Sequence, residues 1–257
     1  MLVICIGLKR AASTLQYQIC RELLANSYSV FDFGFSDKEK DFKNKLKRMN
    51  DYKCSIIKTH NYFNIIDEYS KKNNVYILSS YRDLRESSVS QMVAYNKTYS
   101  QLINRRWLQN EIITFYKLKD IKNILMQDFS SLKTNLRSSI IEISEYINIK
   151  LSDNQLDRIV NDYSIESQHK KIYDYTKSNK YKIINLFNNI SNKILPSSLL
   201  QAGTILNIDK STSLHYNHIN KKELDWQKFY KLEQKEKIKS IIGDWLIDVG
   251  FEKDKNW

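Results

Sequence analysis

Residues 4–17 read ICIGLKRAASTLQY, and the fold is decided there. The run from Leu2 to Ile6 is almost continuously apolar, the pattern of a strand covered on both faces of a parallel sheet. It enters Gly7, passes two adjacent cations, Lys9 and Arg10, then Ala11 and Ala12, and reaches the hydroxyls of Ser13 and Thr14 where a helical pattern begins. Strand, loop and helix in that order cradle an anion, because N–H groups at a helix start point outward and the helix dipole adds partial positive charge. Lys9 and Arg10 add full charges; Ser13 and Thr14 add donors. A triphosphate loop would read G-x-x-x-x-G-K-[ST]. Here Ala12 stands at the second glycine and Ser13 at the lysine, so the loop suits a smaller anionic group.

The alternation continues outward. Residues 28–33, 54–58 and 75–79 carry strand patterns, and helical patterns cover 14–25, 38–49, 62–72 and 84–95. Strands alternating with helices predict βαβ units and a parallel sheet. Beyond residue 98 the patterns are helical at 99–118, 132–146, 156–163 and 166–189, with one further strand at 123–127. A last amphipathic helix carries Leu232, Ile238, Ile241, Ile242, Trp245, Leu246 and Val249 and stops at Gly250, a residue suited to the left-handed position after a helix. The expected fold class is α/β: a three-layer, P-loop-like fold with a central, mainly parallel sheet flanked by helices and a helix-rich C-terminal half. With no Pro/Gly/Ser-rich linker and no internal repeat, residues 1–257 read as a single domain.

Composition agrees with this picture. The chain is 42% hydrophobic, enough for a sizeable core, and its five glycines and single proline, Pro196, fit a helix-rich fold with few tight turns. Cys5, Cys20 and Cys54 are odd in number, scattered and set in apolar runs, the usage expected of reduced core thiols in a cytosolic protein. No charged leader precedes a long apolar region, and no stretch approaches the ~18 apolar residues of a membrane span, so a cytoplasmic location without a span is expected. A net charge of +12 attracts anions: nucleic acid, a membrane surface or a phosphorylated cofactor.

Ligands of open parallel sheets collect at the carboxyl ends of the strands. Three polar clusters fall on that rim. The first is the loop 7–14. The second is Lys58-Thr59-His60, where Lys58 and His60 alternate on an extended chain and point the same way. A histidine near neutral pH is a natural proton acceptor. The third is YRDLRESSVSQ, residues 81–91, where an Arg82 fork and the Ser90 hydroxyl can reach one phosphate. Arg85 and Glu86 read as a solvated helix pair.

Taken in order, these clusters resemble the sulfotransferases that use 3′-phosphoadenosine 5′-phosphosulfate (PAPS). KRAAST, residues 9–14, stands where that family has its 5′-phosphosulfate loop, P-[KR]-S-G-T-T; KTH, residues 58–60, is unchanged; RDLRESSVS, residues 82–90, follows the 3′-phosphate segment R-[DN]-P-R-[DE]-x-x-x-S. YSIESQHKK, residues 163–171, looks like the segment flanking the adenine and assigns Ser164 there. The stretch NHINKKELDWQKF, residues 217–229, is similar to the late loop of bacterial members and puts Asn220, Lys221 and Lys222 near the 3′-phosphate. Lys9 departs from the family proline, Ala11 and Ala12 from Ser-Gly, and Leu84 from proline.

The resemblance implies transfer of a sulfuryl group from PAPS, as co-substrate and with no metal, to a hydroxyl or amine of a small molecule, glycan or lipid. It implies His60 as base, with Arg10 and Lys58 stabilising charge. Lys9, Arg10, Ala11, Ala12, Ser13 and Thr14 would surround the 5′ end, and Arg82 and Ser90 the 3′-phosphate. Trp107, Phe115 and Tyr116 are readable either as a wall for the acceptor or as core. Two other classes fit parts of the chain. A P-loop-type small-molecule or nucleoside kinase shares the strand–loop–helix site but would want the loop lysine. A basic nucleic-acid-binding protein would use HKKIYDYTKSNKYK, residues 169–182, with five lysines and three tyrosines; no obligate nucleic-acid partner is expected.

Overall fold

The computed structural model describes residues 1–49, 51–177, 208–209, 214–215 and 224–257. Five strands, β1 (Leu2–Ile6), β2 (Val30–Phe35), β3 (Cys54–Thr59), β4 (Val75–Tyr81) and β5 (Ile124–Asp128), form one sheet in the order β2-β3-β1-β4-β5. Every neighbouring pair is parallel. The sheet is the expected α/β architecture.

All five residues of β1 are buried. Its pleat sends Leu2, Ile4 and Ile6 into one cluster with Phe42 and Leu46 of α2 (Glu39–Met49) and Ile66 of α3 (Ile65–Ser70). Cys5 faces the other way and meets Cys20 of α1 (Ser13–Ala25). Helix α1 therefore covers one face of the sheet, and α2 and α3 cover the opposite face. Burying each such large apolar side chain contributes about 1.5–3 kcal/mol, and this two-sided burial explains the unbroken apolar run in β1.

This layering positions the site. The chain leaves β1 toward one face and β3 toward the other, although the two strands are neighbours. The loops diverge and leave a crevice at their carboxyl ends, the usual ligand position in open α/β sheets.

Helix α4 (Leu84–Tyr95) follows β4; Asp83 caps it by accepting from the Arg85 N–H, and Asn96 closes it in the left-handed region at φ 48°. The expected helix over 99–118 is two helices, α5 (Tyr99–Asn104) and α6 (Trp107–Lys119), separated at Arg106, whose φ of 52° interrupts a right-handed path. The pattern at 132–146 likewise divides into α7 (Phe129–Thr134), capped by Asp128, and α8 (Leu136–Tyr146). Thr98 and Gln101 form a reciprocal capping pair at the start of α5.

The chain divides into two compact units, one of residues 1–152 and 224–257 and one of residues 153–223. The first also holds α11 (Trp226–Phe229) and α12 (Leu232–Val249). Ile238, Ile242, Trp245 and Leu246 of α12 pack in a cluster with Leu8, Leu84 and Phe115, and Gly250 ends the helix at φ 85° as expected. The second unit contains α9 (Asp153–Tyr163), α10 (Ile165–Lys177) and a short antiparallel pair, β6 (Ile208–Asp209) with β7 (Leu214–His215). The expected helix over 166–189 is observed as far as Lys177; its remainder lies outside the described residues. Cys5, Cys20 and Cys54 are buried free thiols. No helix among the described residues is long and apolar enough to cross a membrane.

Candidate active site

The first loop depends on one glycine. A Cβ on Gly7 would lie 2.1 Å from Ser13 Cβ and 2.7 Å from Ser80 Oγ, so no larger residue lets the start of α1 return this closely over the strand. The Leu8 N–H donates to the Ser80 carbonyl at 2.9 Å, and the Ala11 N–H to the Leu8 carbonyl at 3.3 Å. Arg10 and Ala12 are left-handed, at φ 68° and 60°. Such positions cost non-glycine residues of order 1 kcal/mol and are held by surrounding structure. Ala12 is the residue before α1 and has no side chain to cap it, so the helix begins without a side-chain cap.

Three strand tips meet at this loop. From β3, the Lys58 ammonium donates to Thr14 Oγ1 at 2.5 Å. Lys58 is 6% exposed, and its burial pulls its pKa down to about 7. Two residues on, His60 Nδ1 lies 2.9 Å from the Gly7 carbonyl oxygen. A carbonyl only accepts, so Nδ1 carries the proton and the lone pair of the neutral ring is on Nε2, the tautomer a base requires. The Phe35 ring packs against the imidazole with centroids 5.4 Å apart.

From β4 and α4 come the other partners. Arg10 Nε donates to Ser90 Oγ at 2.9 Å, and Arg82 Nη1 to the Arg10 carbonyl at 3.4 Å. The loop cation and the third cluster are thus in direct contact. Burial lowers the Arg10 pKa from its ordinary value. The Arg82 guanidinium lies 4.0 Å from the Phe129 ring centroid and donates through Nε to Glu86 at 2.8 Å. Glu86, read from the sequence as half of a solvated pair, is instead a partner of Arg82.

Lys9 is directed elsewhere. Its backbone N–H and its ammonium donate to the two carboxylate oxygens of Glu111 at 2.9 and 2.8 Å. Glu111 is 2% exposed, and burial raises its pKa while Lys9 pulls it back. It occupies the buried stripe Leu108, Glu111, Phe115, Leu118 of α6. An acid in an apolar helical stripe is the sequence signal that would have found it. Ala11 is fully buried in the cluster with Leu8 and Leu84, and Ser13 is buried at the start of α1.

Arg85 corrects the sequence expectation outright. It is 3% exposed, not solvated. Its guanidinium binds both Asp83 oxygens and Glu252, and lies 4.4 Å and 4.5 Å from the ring centroids of Trp226 and Trp257. This cage ties α4 to the chain after α12. Such an ion pair is strongly destabilising to break from one side only.

Ser164 belongs to the second unit, where its hydroxyl accepts from the Ser167 N–H at 3.2 Å at the start of α10. Asn220, Lys221 and Lys222 lie outside the described residues. Beside the loop, a cleft of about 330 Å³ is bounded by Lys9, by Asn61–Phe63 after β3, and by Asn110, Glu111, Ile113, Thr114 and Lys117 of α6. Phe115 is 5% exposed and is core, Trp107 packs against the same cluster, and Tyr116 does not line the cleft.

Residues 9–194 match the family model described as a sulfotransferase domain. The fold is similar to that of the mouse sulfotransferase SULT7A1 complexed with PAP, with a TM-score of 0.63 and 13% identity, covering 97% of this chain and 85% of that one. It is also similar to retinol dehydratase in complex with androsterone and the inactive cofactor PAP, with a TM-score of 0.57 and 15% identity, covering 96% of this chain and 81% of that one. A second structure of retinol dehydratase, with retinol and PAP, gives a TM-score of 0.56 at 14% identity, with the same coverage of 96% and 81%. No curated protein sequence matches the chain.

Proposed function

The chain belongs to the sulfotransferase domain family, and from that membership we propose that it transfers a sulfuryl group from PAPS to a hydroxyl or amine of a small molecule or glycan. The observation that carries this reading is the meeting of Lys58 with Thr14, His60 with Gly7 and Arg10 with Ser90 around one loop. The matched stretch, residues 9–194, begins in the first compact unit and extends into the second, which supports treating residues 1–257 as one sulfotransferase domain.

The reaction is an in-line displacement at sulfur. The acceptor oxygen forms a bond to sulfur as its proton passes to His60 Nε2. The bond from sulfur to the bridging phosphate oxygen breaks, and its electrons stay on the 5′-phosphate of the departing PAP. Little covalent chemistry falls to the protein, which positions the reactants and stabilises spreading charge. Arg10 neutralises the charge growing on the 5′-phosphate, and Lys58 stabilises the sulfuryl oxygens. Loop N–H groups, Ser13 and Thr14 hold the 5′ end. Arg82 and Ser90 hold the 3′-phosphate.

Thermal melting with PAP against ATP–Mg²⁺ tests the reading. PAP should raise the melting temperature and ATP–Mg²⁺ should not; the reverse would favour a kinase. Arg82→Ala should weaken PAP binding about 10–100-fold by calorimetry, the value of one charge-assisted hydrogen bond. An unchanged Kd would remove Arg82 from the 3′-phosphate.

Lys58 adds a pH signature. With its pKa near 7, the free enzyme carries it largely neutral at pH 8. The 5′-phosphate of PAP, to which the sulfuryl group is joined in the donor, favours the ammonium and raises that pKa, so binding takes up a proton above about pH 7. PAP affinity should then fall as pH rises from 7 to 9, by up to about tenfold per unit, and this contribution should be flat below pH 7. Calorimetry at pH 8 in buffers of different ionisation enthalpy should show the uptake in the wild type and its loss in Lys58→Met. Equal proton uptake by both would locate it elsewhere.

A further inference from the structure

We infer that the acceptor is a carbohydrate-type ring, favoured when it carries one anionic group, and not a sterol, retinoid or fatty alcohol. The inference rests on the sulfotransferase reading above. It comes from the cleft, whose position is set by its neighbours in sequence: Asn61 follows the base His60, and Lys9 precedes Arg10. The lining begins one residue from each of them, and an acceptor seated in the cleft would reach the imidazole across that short span.

Its size and lining define the class. At about 330 Å³ it is at the small end of ligand sites, which run from roughly 300 to 1,000 Å³. The Asn110 amide, the Thr114 hydroxyl and the Lys117 ammonium line it together with Ile113 and the rings of Tyr62 and Phe63; the Asn61 amide, which also lines it, already donates to the Asp37 carbonyl at 2.7 Å. An apolar ligand would strip water from whichever of these groups it covers and return no hydrogen bonds, at a cost of about 1–3 kcal/mol for each group left unsatisfied. A sugar ring has both surfaces the cleft requires, C–H faces for the aromatic wall and hydroxyl edges for the amides. It is also small enough to leave the mouth wet, where Asn110 and Lys117 are exposed.

Charge refines the choice. The two cations of the cleft are not equivalent. The Lys9 charge is compensated by Glu111 at 2.8 Å. The Lys117 ammonium sits at the mouth, 5.1 Å from the Tyr62 ring centroid. The cleft therefore has a positive rim over a neutralised floor, which favours a carboxylate or similar group on the ring edge at the mouth.

The test measures PAPS-dependent transfer to methyl glucoside, methyl glucuronoside, cholesterol and dodecanol, with PAP affinity measured calorimetrically on the same preparation. The glycosides should exceed the sterol and the alcohol by at least about tenfold in kcat/KM, with the glucuronoside ahead of the glucoside. Lys117→Met should erase the lead of the glucuronoside. Asn110→Leu combined with Thr114→Val should lower glycoside transfer about 100-fold, roughly tenfold for each polar contact, and leave the PAP Kd unchanged. If PAP binds and the glycosides are no better than cholesterol or dodecanol, or the double variant still sulfates them at the wild-type rate, the acceptor inference is overturned alone. If the wild type does not bind PAP, the sulfotransferase reading falls and the inference with it.

Discussion

His60→Ala is expected to lower kcat by about 10²–10⁴-fold while leaving PAP affinity within about twofold of wild type. The separation follows from where the ring is held. Nδ1 donates to the Gly7 carbonyl, so the nitrogen able to accept a proton is Nε2. Removing the ring removes that acceptor but none of the groups assigned to the nucleotide, since Lys58 keeps Thr14 and Arg10 keeps Ser90. Single-turnover transfer with calorimetry on the same protein makes the comparison. Retained kcat would exclude His60 as the base. Joint loss of kcat and PAP affinity would instead mean that the imidazole mainly braces the loop.

Among the described glycines, Gly7 has the least room for a Cβ, and Gly7→Ala should be strongly damaging. The added carbon would sit 2.1 Å from Ser13 Cβ and 3.1 Å from Ser13 Cα. The backbone atom cannot swing aside, so the start of α1 must lift. Overpacking of this kind costs about 1–3 kcal/mol and occasionally more; at 3 kcal/mol the melting temperature should fall by about 6–12 °C in a chain of this size. Because the lifted turn carries Ser13 and Thr14, PAP binding should weaken by at least about 100-fold. Scanning calorimetry and PAP titration check both effects. Wild-type melting would show that the loop relaxes without moving the helix.

Much of this was legible from one dimension because its causes are local. A strand buried on both faces reads as an apolar run, and α1 and α12 show their periods, so the alternation of the first hundred residues translated into the parallel sheet. Strand ends then located Lys58, His60 and Arg82 on one rim. What sequence could not supply was partnership across distance. Glu111 meets Lys9 from 102 positions away, and Glu252 meets Arg85 from 167 positions away. Neither pairing leaves a periodic trace, because it is created by which strand tip ends beside which helix. Arg85 next to Glu86 looks like a surface pair until Trp226 and Trp257 are brought around it. The break at Arg106 is similar: an ordinary residue in the left-handed region is set by its surroundings, not by its own preference.

The hydrogen bond between the His60 ring and the Gly7 carbonyl couples assembly to competence. The same peptide unit that seats the first helix also selects which imidazole nitrogen is basic. On the proposed mechanism, a molecule whose first turn is misdocked would lack an oriented proton acceptor and would transfer little until that turn docks. Fidelity of this kind needs no separate checkpoint, since one backbone oxygen serves both purposes.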